Sequence, residues 1–246
     1  MKQYIINFET SMNGDTNNNE LSLLPLFDNG FNVYAMQKIM FQFSYTNYDG
    51  GFLSNGNPWE LLVAVILSAQ CTDKKVNEIT ERLFKKYLTL EDYVAADPKE
   101  FERDIHAAGF YRAKTKSVLT TAKLVKEKFG GKIPRTMEEI LTLRGVARKT
   151  ANVVLGNAYG VVDGIAVDTH VRRLSRRLGL TRSHDPVKIE QDLMALLPKK
   201  DWFATTYLLV DHGRAICTAK DPRCDQCPLA NMCPSAFQFP RFRKKQ

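Results

Sequence analysis

Cysteine is scarce, and almost the whole chain is without it. Of five cysteines in 246 residues, only Cys71 precedes residue 217. A disulfide framework needs cysteine pairs spread along the fold, so this distribution excludes a disulfide-stapled secreted domain. Cys71 follows an apolar run, and we expect it to be a buried side chain rather than a ligand.

Long apolar runs are missing as well. No stretch approaches the roughly 20 apolar residues that a bilayer crossing needs, and the first residues lack the basic and then apolar layout of a secretory signal. We therefore expect no membrane partner. We also expect a monomer. Its expected location is cytoplasmic, at the nucleoid if the source is bacterial.

Alternating runs typical of β-strands are absent too, whereas helix-start signals recur. Capping residues stand at Asn57-Pro58, Asp97-Pro98, Thr136–Glu139 and Asp185-Pro186, each in a position to accept a hydrogen bond from the first turn. Gly109 supplies a stop. The sequence therefore predicts an all-α fold with about ten helices.

Charge is unevenly distributed. The net charge is +8, but residues 1–30 hold one lysine against four carboxylates, so this segment carries −3 and the remainder +11. The first 30 residues are also rich in asparagine and lack a helical period, which predicts a poorly ordered tail. A helix is expected over residues 31–43. A basic folded part favours a polyanionic partner such as nucleic acid.

Four cysteines crowd into the last thirty residues, at Cys217, Cys224, Cys227 and Cys233. Four thiolates in so short a span can enclose one metal centre. Structural zinc sites usually contain two Cys-x2-Cys pairs, and this cluster has one. A [4Fe–4S] cluster also takes four thiolates and suits the unequal spacing. The spacing favours iron–sulfur and leaves zinc open.

The stretch LTLRGVARKTANVV, residues 141–154, places a glycine turn between two apolar runs. It predicts a helix, a short turn and a second helix from Arg148 to Tyr159. Free amides at the start of that helix can bind a phosphate without reading a base; a plain helical corner is the alternative. Lys149 lies in the first turn, where the helix dipole favours the neutral amine that a nucleophile needs. Phosphate pairing is the rival role.

Asp168 precedes another predicted helix, in the stretch IAVDTHVRRLSRRL, residues 165–178. Aspartate is among the best N-cap residues, and capping is a complete explanation of it. A carboxylate fixed there can also stabilise a sugar cation or accept a proton. Both roles stay open on these residues alone.

Together these motifs resemble the endonuclease III family of DNA glycosylases, in the helix–hairpin–helix glycosylase superfamily. The resemblance runs from about Asn57 to Cys233. The residues that carry it are Ser68-Ala-Gln-Cys-Thr-Asp73, Gly145-Val-Ala-Arg-Lys-Thr-Ala-Asn152, Ala166-Val-Asp-Thr-His170, His212-Gly213 and the four clustered cysteines.

The resemblance implies a two-lobed helix–hairpin–helix glycosylase fold. A six-helix domain would span residues 57–162, with the hairpin at about 137–158, and residues 31–56 plus 163–246 would form an iron–sulfur cluster domain. The implied function is that of a bifunctional DNA glycosylase and abasic-site lyase. It would remove oxidised pyrimidines from duplex DNA in base excision repair.

Site residues follow by position. Lys149 matches the family's attacking lysine and Asp168 its catalytic aspartate, and the four cysteines match the ligands of a [4Fe–4S] cluster. Gln70 falls where the family fills the gap left by the extruded base, and Phe110 falls at a second inserting position. The alternatives for these two are a polar residue at a helix end and a core aromatic. Further expected DNA contacts are Arg144, Gly145, Ala147, Arg148 and His170.

Two departures concern the hairpin. The family more often has Leu-Pro-Gly-Val-Gly, whereas this chain has Arg144 for the proline and Ala147 for the second glycine. Ala147 keeps its N–H, so phosphate binding survives if its φ is not positive. Arg144 can add a phosphate contact.

Two other functions remain as alternatives. An adenine-specific mismatch glycosylase shares the fold and the cysteine spacing, but normally lacks a lysine at the hairpin and carries a further C-terminal domain. A non-catalytic DNA-binding protein with a structural zinc would keep the hairpin and cysteines without needing Lys149 and Asp168.

Overall fold

The computed structural model describes residues 57–242. All regular structure in this range is helical, which confirms the predicted all-α class. The expected tail at residues 1–30, the expected helix over 31–43 and the segment 31–56 assigned to the cluster domain lie outside the described residues, as do residues 243–246.

Ten α-helices lie between residues 57 and 242, joined by short turns and four 3-10 segments. In chain order they are α1 (Pro58–Ser68), α2 (Asp73–Lys86), α3 (Leu90–Ala95), α4 (Pro98–Asp104), α5 (Tyr111–Phe129), α6 (Met137–Ile140), α7 (Arg148–Tyr159), α8 (Thr169–Arg177), α9 (Pro186–Leu196) and α10 (Trp202–Ala215).

The helix starts follow the predicted capping residues. The side chains of Asn57, Asp97 and Asp185 each accept a hydrogen bond from a first-turn amide, and a proline follows each of them. Thr136 caps α6 in the same way. Each cap satisfies an amide that the helix cannot pair internally, so these starts are determined locally.

The first hydrophobic core surrounds α1. This helix is apolar on nearly every side, and seven of its eleven residues are buried. It packs against α2, α5 and α7. One end of the core is closed by four aromatic rings whose centroids lie 5.1–5.9 Å apart, those of Trp59, Tyr87, Tyr93 and Phe101. Burial of such large side chains contributes roughly 1.5–3 kcal/mol each, so α7 has a rigid support.

The second core joins α8, α9 and α10. Its fully buried members include Ile165, Leu174, Ile189, Leu193 and Leu209. The side chains of Cys217, Cys227 and Cys233 pack against the same core. The cysteine loop is therefore attached to the helix that follows Asp168.

None of the helices described between residues 57 and 242 has the length and apolar content that a membrane crossing requires.

Candidate active site and cysteine cluster

The hairpin turn lies against α5. Gly145 has φ +81°, and a Cβ at this position would stand 2.8 Å from the Ser117 Cβ. Only glycine fits there without displacing its neighbour. The Thr121 hydroxyl donates to the Arg144 carbonyl at 2.9 Å. Ala147 is extended, with φ −93°, so its replacement of a glycine leaves the turn unstrained at this position.

Helix α7 begins without a capping side chain. Its N-cap residue is Ala147, and no side-chain hydrogen bond reaches the first turn from it. The first-turn amides have no partner within a helix, and the helix dipole adds partial positive charge at the same end. Lys149 lies in this turn and is exposed to solvent. The predicted helix from Arg148 to Tyr159 is confirmed, and its start offers both amides and an amine.

The neighbouring Arg148 is engaged by the second core. Its Nε donates to Glu190 Oε2 at 2.7 Å, and Nη2 donates to the Asp163 carbonyl at 3.4 Å. Asn152 Nδ2 donates to the other carboxylate oxygen of Glu190 at 2.9 Å. The Glu190 side chain is only 6% exposed. This buried carboxylate therefore fixes α7 to α9, and the Arg148 guanidinium is committed to protein contacts.

Gly164 makes room for that carboxylate. A Cβ at Gly164 would collide with Glu190 Oε1 and would stand 2.9 Å from Asn152 Nδ2. Sequence reasoning did not single out Glu190. The sequence gives one indication of its role: this acidic residue directly follows Ile189. Both residues lie on the buried face of α9, together with Leu193.

Asp168 caps α8. Its Oδ1 accepts a hydrogen bond from the Val171 amide at 2.8 Å, and the bond is partly buried. The capping prediction is confirmed. The hydrogen bond holds this carboxylate beside the first-turn amides, at the positive end of the α8 dipole.

His170 and Arg173 connect α8 to α10. Arg173 Nη2 lies 3.1 Å from His170 Nδ1 and donates to the carbonyls of Gly213 and Cys217 at 3.0 Å each. Burial lowers the pKa of His170, while the nearby Asp168 carboxylate acts in the opposite direction. His170 is thus a half-buried link toward the cysteine loop, and its expected DNA contact stays a prediction.

Gln70 and Phe110 share an uncommon backbone conformation. Their φ angles are 53° and 47°, and only three non-glycine residues among 57–242 have positive φ. Such strain costs about 1–3 kcal/mol per residue and is maintained by the surrounding structure. Phe110 is 69% exposed, so the core-aromatic alternative is wrong. Gln70 is exposed in the turn between α1 and α2.

The four clustered cysteines line one pocket and form no disulfide. Among residues 57–242, no three His, Cys, Asp or Glu side chains are placed to hold a single metal ion. Burial raises the pKa of Cys233 to about 11 and also raises that of Cys227, and neighbouring cysteines add to both effects. Ligation requires thiolates, which a positively charged iron–sulfur core stabilises. The donor set therefore fits such a cluster.

Arg177 holds the cysteine loop in place. Its Nη1 donates to Cys217 Sγ at 3.3 Å and to the Thr218 carbonyl at 2.7 Å, and Nη2 donates to the Ala219 carbonyl at 2.9 Å. Arg172 and Arg176 on the same helix are exposed. The four arginines of α8 thus divide between the loop and solvent, as helical geometry predicts.

Two family models match the chain. The model described as HhH-GPD superfamily base excision DNA repair protein matches residues 63–199. The model described as the iron-sulfur binding domain of endonuclease III matches residues 217–233, the segment that begins and ends at the first and last clustered cysteine. The second match decides between zinc and iron–sulfur in favour of iron–sulfur.

Curated relatives and a solved structure agree with the family models. Endonuclease III of Synechocystis sp. is 51% identical over 179 residues, which cover 73% of this chain and 82% of that protein. Endonuclease III of Bacillus subtilis is 49% identical over 182 residues, covering 74% and 83%. The structure of a trapped covalent intermediate of an endonuclease III with DNA, an estranged-adenine complex, matches with a TM-score of 0.79 at 40% identity, covering 86% of this chain and 97% of that one.

The hairpin, the capped aspartate and the cysteine loop thus occur together in a helical fold shared with these proteins. The chain belongs to the endonuclease III family of HhH-GPD base excision repair proteins, and it is a DNA glycosylase and abasic-site lyase that carries a [4Fe–4S] cluster.

Proposed function

We propose that this enzyme removes oxidised pyrimidines from duplex DNA and cleaves the strand through a Schiff base on Lys149. The observation that carries the proposal is the position of this lysine, exposed in the first turn of a helix whose amides no side chain caps. The same helix end can hold a backbone phosphate while presenting an amine to the adjacent sugar.

The chemistry divides between two residues. The neutral amine of Lys149 attacks C1′ of the damaged nucleotide, and the C1′–N bond breaks with its electron pair leaving on the base, which is then protonated. The attacking nitrogen loses a proton, and the C1′–O4′ bond opens with its electron pair on O4′, which takes up a proton, so that a protonated imine joins lysine to C1′. This imine acidifies the C2′ proton; its removal expels the 3′ phosphate and cuts the strand 3′ to the lesion. Asp168, as a carboxylate, stabilises positive charge on the sugar or accepts the lysine proton.

Access to the lesion requires extrusion of the nucleotide, because its C1′ and base lie within the duplex. In the proposal, Gln70 and Phe110 enter the gap that the extruded nucleotide leaves. Support comes from their shared exposure and from the strained backbone that holds both side chains in place.

Contacts to the DNA backbone are proposed for the hairpin. The amides of Gly145, Ala147 and Arg148 bind phosphate, and Arg144 adds a charge beside them. The Arg148 side chain acts differently, since its bond to Glu190 positions α7. These contacts carry no sequence information, which suits an enzyme that must examine any sequence.

The cysteine loop is proposed to complete a second domain. Cys217, Cys224, Cys227 and Cys233 would hold the [4Fe–4S] cluster, and Arg177 would support one of the sulfurs. When bound, the cluster supplies thiolate–iron bonds that close residues 217–233 into one rigid loop. In this proposal the described residues 163–242 belong to the cluster domain, and residues 57–162 form the hairpin domain.

Borohydride trapping tests the proposal. The purified protein is incubated with a thymine-glycol duplex and borohydride, which reduces a Schiff base to a stable covalent complex. We expect a trapped species with the native protein and with Lys99→Ala, an exposed lysine on α4, but none with Lys149→Ala. Trapping that persists unchanged in Lys149→Ala would overturn the lysine mechanism.

A substrate panel separates the alternatives. Thymine glycol, dihydrouracil and hydroxycytosine duplexes test the proposed substrate class, and an adenine opposite 8-oxoguanine tests the mismatch alternative. Cleavage of only the adenine substrate would contradict the proposal. Duplex binding without cleavage of any member would also contradict the proposed substrate class.

A further inference from the structure

Lys114 is a buried lysine that the proposed reaction does not use. It lies on α5, and only 5% of its surface is exposed. Burial lowers the pKa of its ammonium, against a smaller opposing contribution from Cys71. A buried lysine is costly unless its N–H groups are satisfied, so its partners indicate why it is there.

Those partners are two main-chain carbonyls from different parts of the fold. Lys114 Nζ donates to the Leu67 carbonyl at 2.8 Å and to the Ala108 carbonyl at 2.8 Å, and both bonds are buried. Leu67 is near the C-terminal end of α1, where carbonyls lack helical partners. Ala108 ends the short 3-10 segment before α5. One ammonium thus binds carbonyls at the ends of two helical segments, α1 and the 3-10 segment.

Each carbonyl lies just before one of the strained, exposed side chains. Gln70 follows Leu67 by three residues, and Phe110 follows Ala108 by two. The Lys114 amide also donates to the Phe110 carbonyl at 3.1 Å. Lys114 is therefore bonded to the segment of Phe110 through both main chain and side chain, and to the segment of Gln70 through the side chain.

We propose that Lys114 is a positioning residue that fixes the spacing between Gln70 and Phe110, so that both side chains enter the DNA gap together. The inference rests on the insertion of these two residues stated above. Without the ammonium, the two loops lose their shared bonds and the two side chains move independently. The gap is then held open poorly, although Lys149 and Asp168 are unchanged.

Two duplexes with the same lesion test this. In one, thymine glycol is paired with adenine; in the other, the nucleotide opposite the lesion is an abasic analogue, so no estranged base has to be held. For Lys114→Met, we expect the single-turnover cleavage rate to fall at least about tenfold on the paired duplex, because small misplacements in a rigid site are costly. On the second duplex we expect a change within about twofold, because little unstacking energy remains to be supplied.

Three further variants serve as controls for that result. Lys123→Met, an exposed lysine on the same helix, should leave both rates unchanged. Lys114→Gln keeps N–H donors on a shorter side chain and should recover part of the loss; it also replaces the methionine variant if that protein does not fold. In a chain that already carries Gln70→Ala and Phe110→Ala, Lys114→Met should cost little more, because coupled residues are not additive.

A spectroscopic measurement reports the gap directly. With 2-aminopurine opposite the lesion, native protein should raise the fluorescence as the estranged base unstacks, and Lys114→Met should raise it less at saturating protein. Loss of both cleavage rates to the same extent, or loss of neither, would overturn the role of Lys114. Inactivity of the native protein on both duplexes would instead overturn the proposed function.

Discussion

Arg148 and Glu190 join the two hydrophobic cores next to the proposed nucleophile. The Nε–Oε2 distance is 2.7 Å, and the glutamate side chain is almost fully buried while the arginine side chain is 38% exposed. Since Lys149 directly follows Arg148, the same helical turn carries the nucleophile and the link to α9. Any displacement of that link changes where the amine stands.

Loss of this link should destabilise the protein. Glu190→Ala leaves Arg148 and Asn152 without their partner, and we expect the free energy of unfolding to fall by about 2–3 kcal/mol, less than for a fully buried pair because Arg148 reaches water. Urea unfolding measures the change. Gln191→Ala, at an exposed position on the same helix, should change it by less than about 0.5 kcal/mol. Equal effects of the two substitutions would show that the link contributes nothing.

Local features of this fold can be predicted from the sequence, whereas contacts between distant residues cannot. Caps such as Asn57 and Asp168, the turn at Gly145 and the cysteine spacing depend on residues a few positions apart, so their pattern is visible in the chain. By contrast, Glu190 binds Arg148 from 42 residues away, and Lys114 binds the Leu67 carbonyl from 47 residues away. Charge and hydropathy alone do not predict which distant group a buried charge meets.

The two roles of Asp168 can be separated with asparagine. Asparagine caps helices about as well as aspartate, so Asp168→Asn should leave the free energy of unfolding within about 0.5 kcal/mol of the native value. Removing the charge should reduce turnover at least about a hundredfold. Unfolding, duplex binding and single-turnover cleavage are measured on one preparation. If binding and turnover decline together, capping is the main role of this residue.

Two glycines on either side of α7 form a matched pair, Gly145 in the hairpin turn before it and Gly160 directly after its last residue. Gly145 and Gly160 both have positive φ, but only Gly145 is crowded, by Ser117, while nothing lies within 4 Å of a Cβ at Gly160. Gly160→Ala should cost about 1–2 kcal/mol from backbone strain alone, and Gly145→Ala should cost more. Fluorescence anisotropy with an undamaged duplex should show weaker binding for Gly145→Ala only. Weakening by both variants would point to general destabilisation.

The cysteines make separate predictions about iron. Cys224→Ser should lower the iron content and the visible absorption of the purified protein and reduce its Tm, since residues 217–233 lose their closure. Cys71→Ser should retain iron, because this cysteine packs against the first core. A native protein that is colourless and contains zinc would contradict the iron–sulfur assignment. Retention of full iron by Cys224→Ser would remove that residue from the ligand set.

Substitutions of the α8 arginines should have different effects, because some of these side chains bind the cysteine loop and others face solvent. Arg177→Met removes three hydrogen bonds to the cysteine loop, so iron release to a chelator should accelerate while the salt dependence of DNA binding stays the same. Arg176→Met, at an exposed position, should leave iron release unchanged. If Arg176 contacts a phosphate, its removal should lower the slope of log affinity against log salt by about one. If neither substitution changes this slope, Arg176 lies on a solvated face. Loss of a phosphate contact would reduce the number of counterions released on DNA binding and would therefore lower the slope.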